Sequence, residues 1–326
     1  MRNKNIQFSF LVIMMLASMV ACKKEEYTIP DPVSLLTNDC IKRTIGPSIV
    51  SLPLEFAYAM AIPKSSGKLV SAQVEASIAG ASGTYLEHRS FYTNSSGVDV
   101  PVLVGSPSLT VDKTTKMTYS IDTNAATLRY NYVIPEGARG QSVSFTFSVT
   151  SSDGKTASYK MGPYTISKMS IKRNLAVSNG VNAYISIEDM AVYNAAAAAA
   201  APGKIDLVYL FRAAPTTFTH ALVSPAADAA YLPGVTLPAG LNRSTKLRKV
   251  FNLQDRNLAN LQFGIYVDDV DLINVDMVDM PNYAIGLRAE AGVWVETADK
   301  KYRAYIFVNS INAAGTAVIS MLRYTL

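Results

Sequence analysis

Residues Ser142-Val143-Ser144-Phe145-Thr146-Phe147-Ser148-Val149-Thr150 alternate apolar and hydroxyl side chains without a break. Successive side chains of an extended strand point to opposite faces. Val143, Phe145, Phe147 and Val149 therefore form one apolar face and the hydroxyls the other. Ser152-Asp153-Gly154-Lys155 follows at once, and Asp-Gly supplies the positive φ that a hairpin reversal needs. Six further β-rich runs, at 54–62, 69–78, 98–104, 117–121, 127–134 and 157–166, are set apart by Pro63, Ser65-Ser66-Gly67, Gly80, Gly83, Ser95-Ser96-Gly97, Gly137 and Gly140. Seven short strands at this spacing predict an antiparallel, immunoglobulin-like β-sandwich over residues 45–168. The Cys–Trp–Cys pin of antibody domains is absent, so the alternation alone carries the fold class.

A chain of 326 residues has room for two domains, and near residues 167–180 the pattern resets. The second unit, 169–326, reads as β-rich, α+β or sandwich-like, with one helix. Ser186 and Asp189 have capping-box spacing, Met190 to Ala201 carries seven consecutive alanines, and Pro202-Gly203 stops the run. This predicts a helix near 187–201, with a low-complexity linker as the alternative. Residues 205–212 follow as an apolar strand. The carboxyl end is β again at 291–296, 302–311 and 317–324, with turns at Ala298-Asp299-Lys300 and Gly315.

The amino terminus carries an export signal. Arg2 and Lys4 precede an apolar stretch, Ile6 to Val20, that falls short of the roughly 20 residues needed to span a bilayer. Met19-Val20-Ala21-Cys22 then resembles the lipobox of bacterial lipoproteins, which implies cleavage before Cys22 and lipidation of its thiol. The alternative is an ordinary secretory signal. Two or more acyl chains anchor stably where one is marginal, so the membrane is the expected partner of Cys22. Lys23-Lys24-Glu25-Glu26 resembles the surface-export signal of Bacteroidetes lipoproteins, and 22–44, with Pro30 and Pro32, reads as lipidated Cys and flexible tether. The expected location is the outer membrane, facing outward. With Cys22 lipidated, Cys40 has no intramolecular disulfide partner.

Glu55-Phe56-Ala57-Tyr58-Ala59-Met60-Ala61, Gly162-Pro163-Tyr164-Thr165-Ile166-Ser167 and Lys204-Ile205-Asp206-Leu207-Val208-Tyr209 resemble stretches of an uncharacterised, two-domain outer-membrane lipoprotein family of Bacteroidetes type, a domain of unknown function. The resemblance runs over most of the mature chain and implies no activity.

Charge and chemistry exclude more than they assign. Removing Arg2 and Lys4 with the signal lowers the formal charge from +5 to +3. The remaining basic residues cluster only at Lys246-Leu247-Arg248-Lys249 and Lys300-Lys301-Tyr302-Arg303, which read as solvated strand edges and not as a nucleic-acid stripe. No nucleophile elbow, Walker loop, dinucleotide fingerprint or His-Glu-x-x-His is present. The two histidines, His88 and His220, fall in different proposed domains. No catalytic residue and no resident cofactor is assigned.

Two features offer ligand sites. Asp268, Asp269, Asp271, Asp276 and Asp279 crowd oxygens as Ca²⁺ requires, with Asp269 and Asp271 on one face of a strand. The EF-loop pattern fails at Ile273 and Asn274, and an amphipathic element with a wet face explains the same residues. Trp294, the only tryptophan, together with Arg303 and Tyr305 across a hairpin could form a sheet-face platform for sugar rings; packing between two layers is the alternative. The leading expectation is a non-catalytic binding or accessory module for carbohydrate binding or capture of an outer-membrane protein partner. A cell-adhesion or pilus-type subunit is the alternative, and a hydrolase using an acidic cleft comes third.

Overall fold

A computed structural model of the chain describes residues 35–250 and 266–326. The lipobox with Cys22 and the first part of the tether lie outside the described residues. The protein is mainly β, with 51% strand against 8% helix, which confirms the fold class expected from the sequence.

The N-terminal unit contains β1 (Thr37–Lys42), β2 (Pro53–Ala61), β3 (Leu69–Ala76), β4 (Tyr85–Leu86), β5 (Arg89–Thr93), β6 (Asp99–Leu103), β7 (Leu109–Val111), β8 (Thr114–Thr118), β9 (Ala125–Val133), β10 (Ser142–Ser151) and β11 (Thr156–Thr165). One sheet runs β1-β2-β9-β4, the other β11-β10-β3-β8-β7, and β5 and β6 form a separate hairpin. Apart from β4 and β8, the neighbours match the immunoglobulin arrangement of sheets. The departure is that β4, beside β9, precedes in the chain β8, beside β3.

Alternation explains the packing. Val143, Phe145, Phe147 and Val149 of β10 are all buried. They meet Phe56 and Tyr58 of β2 and Tyr130 and Tyr132 of β9, with Phe145 centred 4.9 Å from both Phe56 and Tyr132 and Phe147 5.1 Å from Tyr58. The opposite face pairs hydroxyls across to β11: Ser148 with Ser158 at 2.9 Å and Thr150 with Thr156 at 3.3 Å. At the turn only Gly154 has positive φ (+79°), and the Ser151 amide donates to the Lys155 carbonyl at 3.0 Å. That is the geometry of a three-residue hairpin loop.

The tether ends earlier than the sequence suggested. Thr37–Lys42 within it forms β1 and pairs in full register with β2, and Cys40 is buried beneath it. Desolvation, helped by Asp39, raises the Cys40 thiol to about 12, so it stays protonated and unreactive.

The C-terminal unit contains β12 (Ser170–Ser178), β13 (Asn182–Ser186), β14 (Ala191–Asn194), α1 (Ala195–Ala200), β15 (Leu207–Arg212), β16 (Thr219–Val223), β17 (Lys246–Val250), α2 (Asp269–Asn274), β18 (Tyr283–Leu287), β19 (Gly292–Glu296), β20 (Tyr302–Ile311) and β21 (Thr316–Thr325). Two five-stranded sheets, β12-β21-β20-β19-β17 and β14-β13-β15-β16-β18, enclose a core that includes Leu207, Leu222, Val293, Val295, Ile306 and Met321. Both outer faces are covered as well. Trp294, Tyr305, Phe307 and Leu322 pack with Leu272 of α2 and with Ile49 and Met169. On the far side Tyr184, Val208 and Leu210 pack with Ala198 of α1 and with Leu241. Double-sided burial accounts for the unbroken buried run Ala304 to Val308 in β20.

The predicted helix at 187–201 shrinks to Ala195–Ala200, and its N-cap is Asn194, whose side chain accepts from the Ala197 amide at 2.9 Å. The Ser186 hydroxyl does accept from the Asp189 amide (3.1 Å), but it closes the turn between β13 and β14. Met190 lies at φ +49°, a conformation no right-handed helix contains. Pairing of Tyr184, Ile185 and Ser186 with Tyr193, Val192 and Ala191 keeps those residues in a strand, so the helix is confined to the alanine run.

Candidate functional site

The acidic segment is a helix cap, not a cation cage. Asp268 accepts from the amides of Val270 (2.8 Å) and Asp271 (3.2 Å), and Asp271 returns a bond to the Asp268 amide at 3.0 Å, completing a capping box. Asp269 accepts from the Ser167 hydroxyl and from the Lys168 amide (3.0 Å), fastening α2 to the segment joining the two sandwiches. Asp276 accepts from the Val278 amide at 2.9 Å. Asp269 and Asp271 lie on a helix, about 200° apart around its axis, and not on a shared strand face. Among the described residues no group of three or more His, Cys, Asp or Glu could hold a metal ion. The calcium reading of Asp269 and Asp271 is thereby corrected: their oxygens serve backbone amides and the Ser167 hydroxyl.

The aromatic platform is corrected likewise. Trp294 is 7% exposed and Tyr305 fully buried, their rings 4.7 Å apart under α2. Arg303 binds Glu296 through Nε (3.0 Å) and Nη2 (2.9 Å), and its Nη1 donates to the carbonyls of Leu272 (3.2 Å) and Ile273 (2.6 Å). A cation at the last carbonyls of α2 favours the helix. The three residues are brought together, but as the packed layer between sheet and helix. Two layers packed on one sheet give the same alternation as an exposed face, so the sequence could not separate them.

The described structure places an open cleft elsewhere, at one end of the C-terminal sandwich, with a volume of about 1240 Å³. One sheet contributes Phe211 at the end of β15, Thr219 and His220 at the start of β16, and Gly286 and Leu287 at the end of β18. The other contributes Lys249 of β17 and Ile311 of β20, and loop residues Thr216, Thr217, Arg288 and Asn312 form the rim. Loops at a sandwich end are free to vary while the sheets fix their stems. Gly286 sits at φ +64°, and a Cβ there would lie 2.9 Å from the Thr217 carbonyl, so only glycine lets β18 approach the loop before β16 this closely.

His220 is 4% exposed and forms part of the wall. Burial lowers its pKa, so the ring is neutral at pH 7, and burial raises that of Tyr209, which keeps its proton. The Tyr209 hydroxyl lies 2.6 Å from His220 Nδ1. The two groups share one hydrogen bond, in which the His220 tautomer decides which of them donates. Phe211 packs on the imidazole at 4.7 Å. Lys249 Nζ donates to the Ile285 carbonyl at 2.6 Å. The basic run 246–249 is an edge strand, as expected, but Lys246, Arg248 and Lys249 all donate to carbonyls of the 276–285 segment. None of the lining residues carries a carboxylate, so the cleft lacks the acid pair of a glycosidase. His88, in the other sandwich, lies 3.2 Å from Glu87, which also holds Arg89.

The cleft was not legible in the sequence, because its members come from five strands far apart in the chain. The hydroxyl-rich stretch Thr216-Thr217-Phe218-Thr219-His220 after Pro215 is the one local signal that could have drawn attention to it.

At the other strand ends of the sandwich, before β15 and in the β19–β20 turn, lies a partly buried ionic cluster. Asp206 accepts from the Ile187 amide (2.9 Å) and pairs with Arg243 Nε (2.9 Å), while Arg243 Nη2 reaches Asp299 at 3.1 Å. Desolvation dominates at Asp206 and pushes its carboxyl up to about 6. At Asp299 burial also pushes upward, but bonds from Thr297, the Lys301 amide and Arg243 outweigh it and bring the carboxyl to about 2.

Comparison with known proteins follows the same division into two sandwiches. A family model described as a domain of unknown function, DUF4466, matches residues 33–166, and a second, DUF8576, also of unknown function, matches residues 167–326. No curated protein matches the chain. A crystal structure of a DUF4466 family protein from Parabacteroides merdae ATCC 43184 is 48% identical, with a TM-score of 0.85, covering 90% of this chain and 100% of that one. Nothing in these likenesses points to catalysis. With nearly half its residues identical over the whole of that protein, the chain belongs to the DUF4466 family.

Proposed function

We propose that this protein is a lipid-anchored, cell-surface binding module that captures a glycan, without chemistry, in the cleft of its C-terminal sandwich. The observation that carries the reading is the wall of that cleft. It combines an aromatic ring (Phe211), a histidine ring held by Tyr209, and three threonine hydroxyls, two on a loop and one at the start of β16. Sugar recognition asks for this mixture of an apolar face and fixed hydrogen-bond groups. The lipobox at Cys22 supplies the anchor, and the signal before it supplies the export route.

The test uses the full-length protein in detergent against a panel of soluble polysaccharides, with Thr217→Ala and His220→Gln in parallel. Binding that falls at least tenfold in both variants supports the cleft, and unchanged binding removes it. Cys22→Ser should release the protein from the membrane fraction with a loss of the acyl mass; unchanged partition and mass would end the lipoprotein reading.

One observation favours a second reading, an adhesion subunit. The edge strand β7 exposes Leu109 (69%) and Val111 (63%), and an open edge can accept a strand from another chain. Heat-stable ladders on a denaturing gel would favour that reading over glycan capture.

A further inference from the structure

We infer that residues 225–244 form a strap that opens as a unit, apart from the rest of the C-terminal sandwich, with Arg243 as its latch. The whole of 224–245 separates β16 from β17 and holds only one 3-10 turn, Ala229–Tyr231. Connections longer than about 12–15 residues without structure of their own are uncommon, and lids are one of their uses. This one lies over the outer face of β15, β16 and β18, where Val208, Leu210, Ala221 and Val223 are buried. Of the side chains it lays there, Leu241 is buried, while Tyr231, Leu232, Val235 and Leu237 are only partly so. Its stems lie at the strand ends opposite the cleft, so it forms no part of that site.

Among the described residues, the backbone hydrogen bonds of 228–242 only close turns within the segment. Tyr231 donates to Asp228, Leu232 to Ala229, Val235 to Leu232 and Leu241 to Pro238. Apart from Tyr231, which stacks on Tyr283 at 3.5 Å and shares a hydrogen bond with it, the segment is held on the sheet by apolar contact. Polar fastening is gathered at the stems. The Arg243 carbonyl accepts from the Ser224 hydroxyl and from the Ala226 amide (3.1 Å), and the Thr245 amide donates to Ser224 Oγ (2.9 Å), so the two ends stay joined. From there the Arg243 side chain reaches Asp206 and the Gly203 carbonyl, before β15, and Asp299, between β19 and β20. β15 and β19 belong to opposite sheets, so one guanidinium ties the strap to both. Asp206 is 1% exposed, and a carboxylate buried without its cation is costly until water reaches it. A segment with few buried side chains and no ladder to its neighbours opens at lower free energy than the strands it covers, and Arg243 sets how often.

Thiol labelling of the full-length protein under native conditions tests this. Ala221→Cys places a thiol on the covered face and Ala304→Cys places one in the core between the two sheets, both at positions with no exposure. The parent chain, with its buried Cys40, sets the background. The expected result is labelling of Ala221→Cys by a chromogenic disulfide at least tenfold faster than of Ala304→Cys. Its rate should also rise less with urea, because opening the strap exposes less surface than unfolding. Arg243→Gln should speed labelling of Ala221→Cys at least a further tenfold. Asp299→Asn, which removes one arm of the latch at a side chain 33% exposed, should do so by less, and it serves where Arg243→Gln does not fold. Matching circular dichroism checks the fold of each variant. Equal rates and equal urea slopes at the two positions would show that the face is uncovered only by global unfolding, and would overturn the strap. Faster labelling of Ala221→Cys that neither latch variant changes would overturn the role of Arg243.

Discussion

Replacing Trp294 with alanine separates a core residue from a ligand platform. The indole is 7% exposed and packs with Ile49 and Met169 from the N-terminal side and junction, with Leu272 of α2, and with Tyr305 at 4.7 Å. A buried tryptophan removes roughly 200 Å² from water. At about 25 cal/mol per Å² that is some 5 kcal/mol, of which alanine retains a small part. The cavity left behind adds to the loss, and Trp→Ala in cores costs about 3–5 kcal/mol. For a chain of this size the melting temperature should fall by roughly 10 °C. Trp294 is the only tryptophan, so unfolding in urea should be followed by far-ultraviolet circular dichroism, not by indole fluorescence. Trp294→Phe, which keeps an aromatic ring in the layer, should cost less, about 1–2 kcal/mol. An exposed platform would behave differently: its truncation would stay within about 0.5 kcal/mol. A measured loss below about 1 kcal/mol for the alanine variant would refute the packing argument.

Asp206 predicts a pH dependence. Its folded-state value, pushed up to about 6, lies above that of the exposed carboxyl, so the folded state holds the proton more tightly. Its contribution is therefore fully present below about pH 4 and is lost as pH rises through 6. Two units correspond to about 3 kcal/mol. Asp299, depressed to about 2, acts oppositely and lower, losing its contribution as pH falls from about 4 through 2. Urea midpoints at pH 4 and pH 7 should converge in Asp206→Asn; parallel shifts in both proteins would contradict the assignment. Gly286→Ala should cost about 1–2 kcal/mol for its positive φ alone, and should weaken any ligand of the cleft by displacing the Thr217 carbonyl. A variant with unchanged stability and binding would show that the loop before β16 can shift away from β18 freely.

The sequence by itself marked seven of the eleven strands of the N-terminal sandwich to within a few residues, and missed β1, read as tether, with β4, β5 and β7. The long strands β2, β3, β9 and β10 bury one face each, and a single wet face leaves its mark as alternation, as in β10, where Phe145 and Phe147 point in and Ser144 and Ser148 point out. The short strands β4, β5 and β7 left no such mark. β4 has two residues, and β5 and β7 bury none of theirs.

The C-terminal half resisted the same treatment because its sheets are covered on both sides. In β20 the residues from Ala304 to Val308 are all buried, so apolarity does not say which of them face the inner core and which face α2. Trp294 and Tyr305 could thus be read as a pair on one face, but not as a pair under a helix. The alanine run stated a local helical preference correctly for Ala195–Ala200, whereas strand pairing at residues 191–194 decided where the helix could start. The acidic segment announced carboxylates, and only the folded chain showed that backbone amides and the Ser167 hydroxyl take them up. The cleft is wholly tertiary: Phe211, His220, Lys249, Gly286 and Ile311 meet because five strands end at one rim. Local sequence records which faces are dry, since burial acts on every second residue of a strand, but it does not record which distant strand ends meet, since that depends on how two sheets close over one core.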